Sequence, residues 1–271
     1  MFDVGKLLGG FLLVFLVGLV VGGGGVSADP LRVPPMGTKE RGAVITSEKG
    51  GGTRWKAEWT LEQITMDGQR VVRFTEAGQG RYSPFHQEVR WTVEAFWKAG
   101  ETFSPLRFEK RVSDLNGRLL VRERKVFDGA RGKVRFERQD AVAGTSVTKE
   151  MEVPPDTLAV EGIGTALRSL PFDPPRPFRT HLFTNEPALY EVTLQPRGRE
   201  RVKTEAGEFE CYKVELIPNL GLLSMFRVFV PKTYFWFTVA PPHFWVRYQG
   251  LESGLKTPHV VMELVRFERQ E

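Results

Sequence analysis

The stretch Arg54–Thr75, RWKAEWTLEQITMDGQRVVRFT, decides the fold class. Trp55, Ala57, Trp59 and Leu61 alternate with Lys56, Glu58, Thr60 and Glu62. That period of two is the mark of a strand with one buried and one wet face. Asp67-Gly68 then supplies the pair a tight hairpin needs, because both residues tolerate positive φ. Val71 to Thr75 reads as the returning strand.

The same pattern recurs outward from this hairpin. Val89, Trp91, Val93, Ala95 and Trp97 alternate with Arg90, Thr92, Glu94, Phe96 and Lys98. Leu106–Val112 and Leu119–Phe127 flank Asn116-Gly117, and Asp128-Gly129 to Gly132 turns into Lys133–Arg138. Ala206-Gly207 sits between Arg199–Lys203 and Phe209–Ile217. No strand–helix–strand rhythm interrupts these hairpins. The expectation is a mainly β protein: an antiparallel curved sheet or incomplete β-barrel, with one or two short helices packed against it. After Pro154-Pro155, with Asp156 or Thr157 as cap, the spacing of Ile163, Ala166, Leu167 and Leu170 predicts a helix within residues 157–170. Gly162 and Gly164 weaken it, and Pro171 ends it.

The N-terminus carries a different signal. Lys6 precedes an apolar run from Leu7 to Val21, and no ionisable side chain occurs between Leu7 and Ala28. Gly22 to Gly25 breaks the run, and Val26-Ser27-Ala28 has the small-x-small form that signal peptidase cleaves. The rival reading is a retained anchor, but the run is shorter than the roughly 20 residues that span a bilayer comfortably. The absence of a cysteine near the end of the run argues against a lipid-modified N-terminus. The expected organisation is therefore a signal peptide over 1–28, a flexible segment over 29–52 and one antiparallel β domain over 53–271, in a periplasmic protein.

The chain has 38 Lys and Arg against 33 Asp and Glu, a formal charge of +5. Loss of residues 1–28 removes Lys6 and Asp3 and leaves that balance unchanged. For an exported chain, the fitting acidic partners are envelope lipids or polymers and not nucleic acid. With Cys211 as the only cysteine, no intrachain disulfide can form.

The order of elements resembles the exported bacterial family known as domain of unknown function 3108. The residues carrying the resemblance are Ala166-Leu167-Arg168-Ser169-Leu170-Pro171, then Thr204-Glu205-Ala206-Gly207-Glu208-Phe209 and Cys211-Tyr212-Lys213-Val214-Glu215, with a closing Glu263-Leu264. It covers roughly Arg54 to Phe267. The resemblance implies an architecture like that of lipoprotein carriers, an open barrel closed by helices over an apolar cavity. It brings no catalytic residues.

The search for chemistry yields little. Ser146-Val147-Thr148-Lys149 has the Ser-x-x-Lys spacing of penicillin-recognising enzymes, but it alternates like a strand and no Lys-Thr-Gly exists. Cys211 has no histidine partner in its pattern. His86, His181, His243 and His259 lack metal-ligand spacing, so neither metal nor cofactor is expected. Nothing in the sequence selects a pair of carboxylates.

Two features stand out. Trp55, Trp59, Trp91, Trp97, Tyr234, Trp236 and Trp245, with Ile163 and Leu167 of the helical segment, are candidates to line an apolar cavity; the alternative is that they fill the core. Tyr234-Phe235-Trp236-Phe237 in particular would make both faces of one strand apolar, which calls for a covering helix, a partner or a membrane surface. The second feature is Arg107–Arg138, with eleven basic and five acidic residues. There Arg122, Arg124, Lys133 and Arg135 are candidates for contact with anionic head groups, against a merely solvated face. The leading expectation is a non-enzymatic binding or carrier protein of the envelope, holding an apolar or amphipathic ligand such as a lipid or lipoprotein acyl chain. The alternatives are a structural or assembly protein with a protein partner, and a hydrolase of envelope polymers.

Overall fold

In the computed structural model, residues 31–219, 231–254 and 257–270 are described. The predicted signal segment lies outside them. The first eight strands are β1 (Lys39–Glu48), β2 (Thr53–Met66), β3 (Gln69–Arg81), β4 (Glu88–Ala99), β5 (Phe103–Asp114), β6 (Leu119–Asp128), β7 (Lys133–Asp140) and β8 (Thr145–Glu152). After β9 (Thr157–Ala159) come a helix α1 (Ile163–Ala166) and a single 3₁₀ turn, Leu167–Ser169. The chain then runs through β10 (Phe178–Phe183), β11 (Leu189–Thr204), β12 (Gly207–Pro218), β13 (Thr233–Thr238), β14 (Trp245–Leu251) and β15 (His259–Gln270).

The fold is mainly β, one large curved sheet that does not close, with one short helix. Its order is β8-β7-β6-β5-β4-β3-β2-β1-β15-β14-β13-β12-β11-β10-β9. Two meanders thus run away from the centre in opposite directions, joined where β1 pairs antiparallel with β15. The hairpins fall where the turn residues demand. Asp67 and Gly68 take φ of 50° and 74°, the two positive values that match the twist of the flanking strands. At Asn116-Gly117, the Asp114 carboxylate accepts the backbone N–H of Asn116 and of Arg118.

Two expectations fail locally. Residues 39–48, assigned to a flexible segment, form β1 at the centre of the sheet, where alternation brings Val44 and Thr46 into the interior. The helix expected within 157–170 shrinks to one α turn and one 3₁₀ turn. Thr157–Ala159 instead pairs with His181–Phe183, the sole parallel ladder among the described strands. Gly162 takes φ of 65°, which no helix interior accommodates, and the Trp97 ring occupies the space a Cβ would need.

One continuous core draws on both meanders. Leu61, Val72, Trp97, Phe108 and Phe136 from the first meet Leu182, Phe183, Leu194, Val214 and Phe237 from the second, with Ala166 and Leu167 between. No backbone ladder joins the two ends of the sheet, but a side-chain hydrogen bond links the two meanders: Lys125 of β6 donates to Glu161 of the β9–α1 turn at 2.5 Å, both side chains buried.

The short helical segment is held by Arg168. Its guanidinium is buried and makes two hydrogen bonds to Glu40 of β1, at 2.6 and 3.0 Å. It also donates to the carbonyls of Pro35 and Pro242, at 2.7 and 3.1 Å. Glu40 is itself fully buried and accepts the Gly37 N–H. Removing one partner leaves the other charge without compensation in the interior. Arg168→Met is therefore expected to lower unfolding free energy by about 3–5 kcal/mol, read by urea denaturation. Glu40→Gln should fall in the same range, and a loss below 1 kcal/mol in both would show that the pair does not anchor the turn.

Candidate functional site

Among the described residues, the polar side of the alternation supplies most of the lining of an open trough, with Gly42, Trp59, Glu76 and Val93 from the other side. The trough, of about 740 Å³, crosses six adjacent strands, from β15 through β1 to β5. Register explains its composition. Arg41 lies opposite Thr60, Thr60 opposite Thr75, Thr75 opposite Glu94 and Glu94 opposite Glu109. In the next row, Ala43 separates Arg266 from Glu58, followed by Ala77, Thr92 and Arg111. Threonines and two alanines therefore make a low floor, and long charged side chains make the two ends.

At one end, Glu94 and Glu109 face each other across neighbouring strands. Like charges so placed repel, and arginines offset the cost. Arg73 grips Glu94 at 2.7 and 3.0 Å. Arg111 and Arg122 both bind Glu109, at 2.6 Å and at 3.0–3.1 Å. Burial pushes the Glu109 carboxyl up, but these two guanidiniums outweigh it and hold the group below the usual carboxylate range. At the other end, Arg266 bridges to Glu58 at 3.4 Å. Among the described residues, Arg41 has no carboxylate partner, and the hydroxyls of Thr60, Thr75 and Thr92 make no hydrogen bond to protein.

The candidate cavity-lining residues are distributed over three apolar clusters. Trp55 and Trp91 belong to one, Trp97 and Leu167 to the large core, and Trp236 to a third. Ile163, Trp59, Tyr234 and Trp245 pack against these clusters, half-buried. Trp55, Trp91, Trp97 and Trp236 are each at most 4% exposed. Three of the indole N–H groups donate to a glutamate: Trp55 to Glu252 at 2.8 Å, Trp91 to Glu76 at 2.9 Å and Trp236 to Glu200. Two rings lie over glycine on the adjacent strand, Trp59 on Gly42 and Trp91 on Gly78, where a Cβ would collide with them.

Strand β13 is apolar on both faces, as its sequence requires. Phe235 and Phe237 enter the large core, and Trp236 faces away. The cover expected from a helix, partner or membrane comes instead from neighbouring strands: Lys213 and Arg247 lie over the Trp236 ring at 5.0 and 5.8 Å. The basic stretch is likewise matched within the sheet. Arg122 meets Glu109, Arg124 meets Glu137, Lys133 meets Glu150 and Arg135 meets Glu137.

Of the residues lining the trough, sequence reasoning named Trp59 alone as a candidate. Glu58, Thr60, Thr92 and Glu94 were visible as the wet half of two strands, but only register across five ladders shows that they converge. Among the described residues no group of three or more His, Cys, Asp or Glu side chains is placed to hold a metal ion. No described helix is long and apolar enough to cross a membrane. Cys211 is buried, and burial pushes its thiol up to about 12, far from the thiolate that a nucleophile needs.

A family model described as a protein of unknown function, DUF3108, matches residues 47–257. The chain belongs to the DUF3108 family. No curated protein matches the sequence. Among solved structures, this DUF3108 chain is similar to a "putative lipoprotein" from Parabacteroides distasonis, at 10% identity and a TM-score of 0.36, over 89% of this chain and 100% of that one. It is also similar to a "putative exported protein with YmcC-like fold" from Bacteroides fragilis, at 11% identity and a TM-score of 0.36, with the same coverage.

Glu252 offers a titration test of the tryptophan anchoring. Its buried carboxylate accepts from Arg54 at 2.9 and 3.0 Å, from Trp55 and from the Ser83 N–H at 2.8 Å. Burial pushes this carboxyl up, but the hydrogen bonds from Arg54, Ser83 and Trp55 prevail and hold it below the ordinary range. A carboxyl lowered by folding stabilises above its unfolded value, about 4.3, and loses that contribution as pH falls through the folded value. Glu252→Gln should therefore cost about 2 kcal/mol at pH 7, with the gap to wild type narrowing below about pH 4. Urea unfolding at pH 7 and pH 3.5 measures both, and a gap that widens in acid would refute the assignment.

Proposed function

We propose that this DUF3108 protein is an exported, non-enzymatic binding protein of the cell envelope that takes its ligand on the polar trough. The observation that carries the reading is the trough itself: an open, strand-built surface on which Glu58, Glu94, Glu109, Arg111 and Arg266 are held in advance by ion pairs and Arg41 is left unpaired. Groups held in place before the ligand arrives lose little freedom on binding. Export rests on the Lys6 to Ala28 sequence, with cleavage after Ala28.

The acyl-chain ligand suggested by sequence requires a void on the apolar side. There, rings pack in an unbroken series from β4 to β10: Trp97 on Phe103 and on Phe108 at 5.3 Å, Phe108 on Phe127 at 5.8 Å, and Phe127 on Phe183 at 6.0 Å. That series favours the core role for the aromatics and moves the ligand to the other face. The facing carboxylates Glu94 and Glu109 bring the hydrolase alternative back for consideration. Glycoside hydrolysis needs one carboxyl raised so that it can give a proton, and the arginines drive Glu109 the opposite way. Binding without cleavage is the better fit.

Native mass spectrometry of the purified, exported chain tests this reading. The expected mass is that of the polypeptide from Asp29 alone, with no retained lipid. Soluble fragments of envelope polymers should shift backbone NMR signals of β1–β5 and β15, and Thr75→Trp, which fills the floor, should abolish those shifts. Unit-stoichiometry lipid, or shifts centred on Trp97 and Leu167, would defeat the proposal.

A further inference from the structure

The trough's chemistry deepens the binding reading, on which this inference rests. We infer that its ligand is an acidic oligosaccharide, with the acid group seated on Arg41 and the sugar hydroxyls on the threonine floor.

The argument begins with what a sheet face withholds. Strands β15, β1, β2, β3, β4 and β5 are each paired on both sides, with one irregularity between Ala43 and Val44, so the floor offers no edge of free backbone N–H and C=O groups. An extended peptide gains affinity by adding to a sheet edge through such groups, and it finds none here. Recognition must come from side chains alone. Those available are hydroxyls, carboxylates and guanidiniums, with polar atoms as prominent as apolar ones, unlike the mostly apolar lining of a typical small-molecule pocket. A lipid chain gains nothing from them.

The particular groups match a polyol. The hydroxyls of Thr60, Thr75 and Thr92 can each donate and accept, and all three lack a partner among the described residues. Sugar hydroxyls need both roles. Glu94 and Glu109 at one end are ionised acceptors whose arginine partners fix their orientation, suited to paired ring hydroxyls. Arg41 at the opposite end lies across the β1–β15 ladder from Glu268. It makes no ion pair among the described residues, because Glu268 turns to Arg266, while Arg111 and Arg266 have their carboxylates. A guanidinium binds a carboxylate in two parallel hydrogen bonds, so Arg41 selects an acidic unit at that end, and Glu94 and Glu109 repel one at the other. Six strands at about 4.8 Å spacing span roughly 24 Å, which calls for an oligomer over a single sugar.

Calorimetric titration of the mature chain with three probes tests the inference: a galacturonic acid oligomer, a neutral glucose oligomer of the same length and an acidic glutamate peptide. The expected result is binding of the galacturonate oligomer alone. Arg41→Ala and Thr75→Val should each weaken it at least tenfold, and Lys149→Ala on β8 should leave it unchanged. Circular dichroism melting establishes that both trough variants fold. Equal binding of the neutral oligomer, or affinity unchanged in Arg41→Ala, overturns the acid recognition and leaves the trough as a binding surface. Binding of the glutamate peptide alone overturns the saccharide class. If Thr75→Trp, the filled-floor variant, still binds the galacturonate oligomer, the trough itself is refuted as the site.

Discussion

The buried pair of Arg168 with Glu40 is the constraint around which the sheet is arranged. Arg168 lies just past the far edge of the second meander, while Glu40 lies on β1, at the join of the two meanders. Bringing them into contact requires the whole sheet to curl. Desolvating two charges costs several kcal/mol each unless hydrogen bonds replace water, and here Pro35 and Pro242 carbonyls take up the remaining guanidinium donors. The arrangement therefore works only in one geometry, in which N-terminal segment, β1, helical turn and the loop before β14 all meet. It also gives the Leu-Arg-x-Leu-Pro stretch a physical meaning: the leucines enter the core and the arginine closes the fold over it.

A second rule governs the two faces. The apolar face is loaded with tryptophan, and each ring is accommodated by something small or polar beside it. Gly42 and Gly78 make room for Trp59 and Trp91, Gly162 admits Trp97, and Gly164 lies against Trp245. Glutamates accept the indole protons of Trp55 and Trp91 and, on the opposite face of β13, of Trp236. Such rings bring large buried area, but a buried N–H left unpaired would cancel part of the gain. The polar face is built oppositely, from cross-strand acid–base pairs that use few apolar atoms. Surface pairs of this kind add little stability, and their concentration around a hydroxyl-lined floor is what the proposed binding role would draw on.

The resulting molecule divides its labour by face. Aromatic residues that alternate in the sequence serve the fold, and their neighbours one position away serve the surface. This inverts the emphasis that composition suggests, because tryptophans attract attention while threonines and glutamates on a strand pass as solvated. The open seam between β6 and the turn after β9, bridged by Lys125 and Glu161, belongs to the fold as well, since rings from both meanders pack directly beneath it.

The amino-acid sequence by itself determined the local structure. Strand periodicity in Arg54–Glu62 and Val89–Lys98, and the turns at Asp67-Gly68, Asn116-Gly117 and Ala206-Gly207, follow from backbone sterics and side-chain alternation within a few residues. Tertiary structure alone decided the rest. Lys39–Glu48 became a central strand because β15, more than two hundred residues away, supplies its second ladder. The helix near 157–170 was cut short because pairing with β10 and the Trp97 ring at Gly162 outweighed its helical spacing. The trough needed five ladders in register before Arg41, Thr60, Thr75, Glu94 and Glu109 could line up. Alternation tells which side of a strand is wet, but it contains no information about which wet residues will be neighbours.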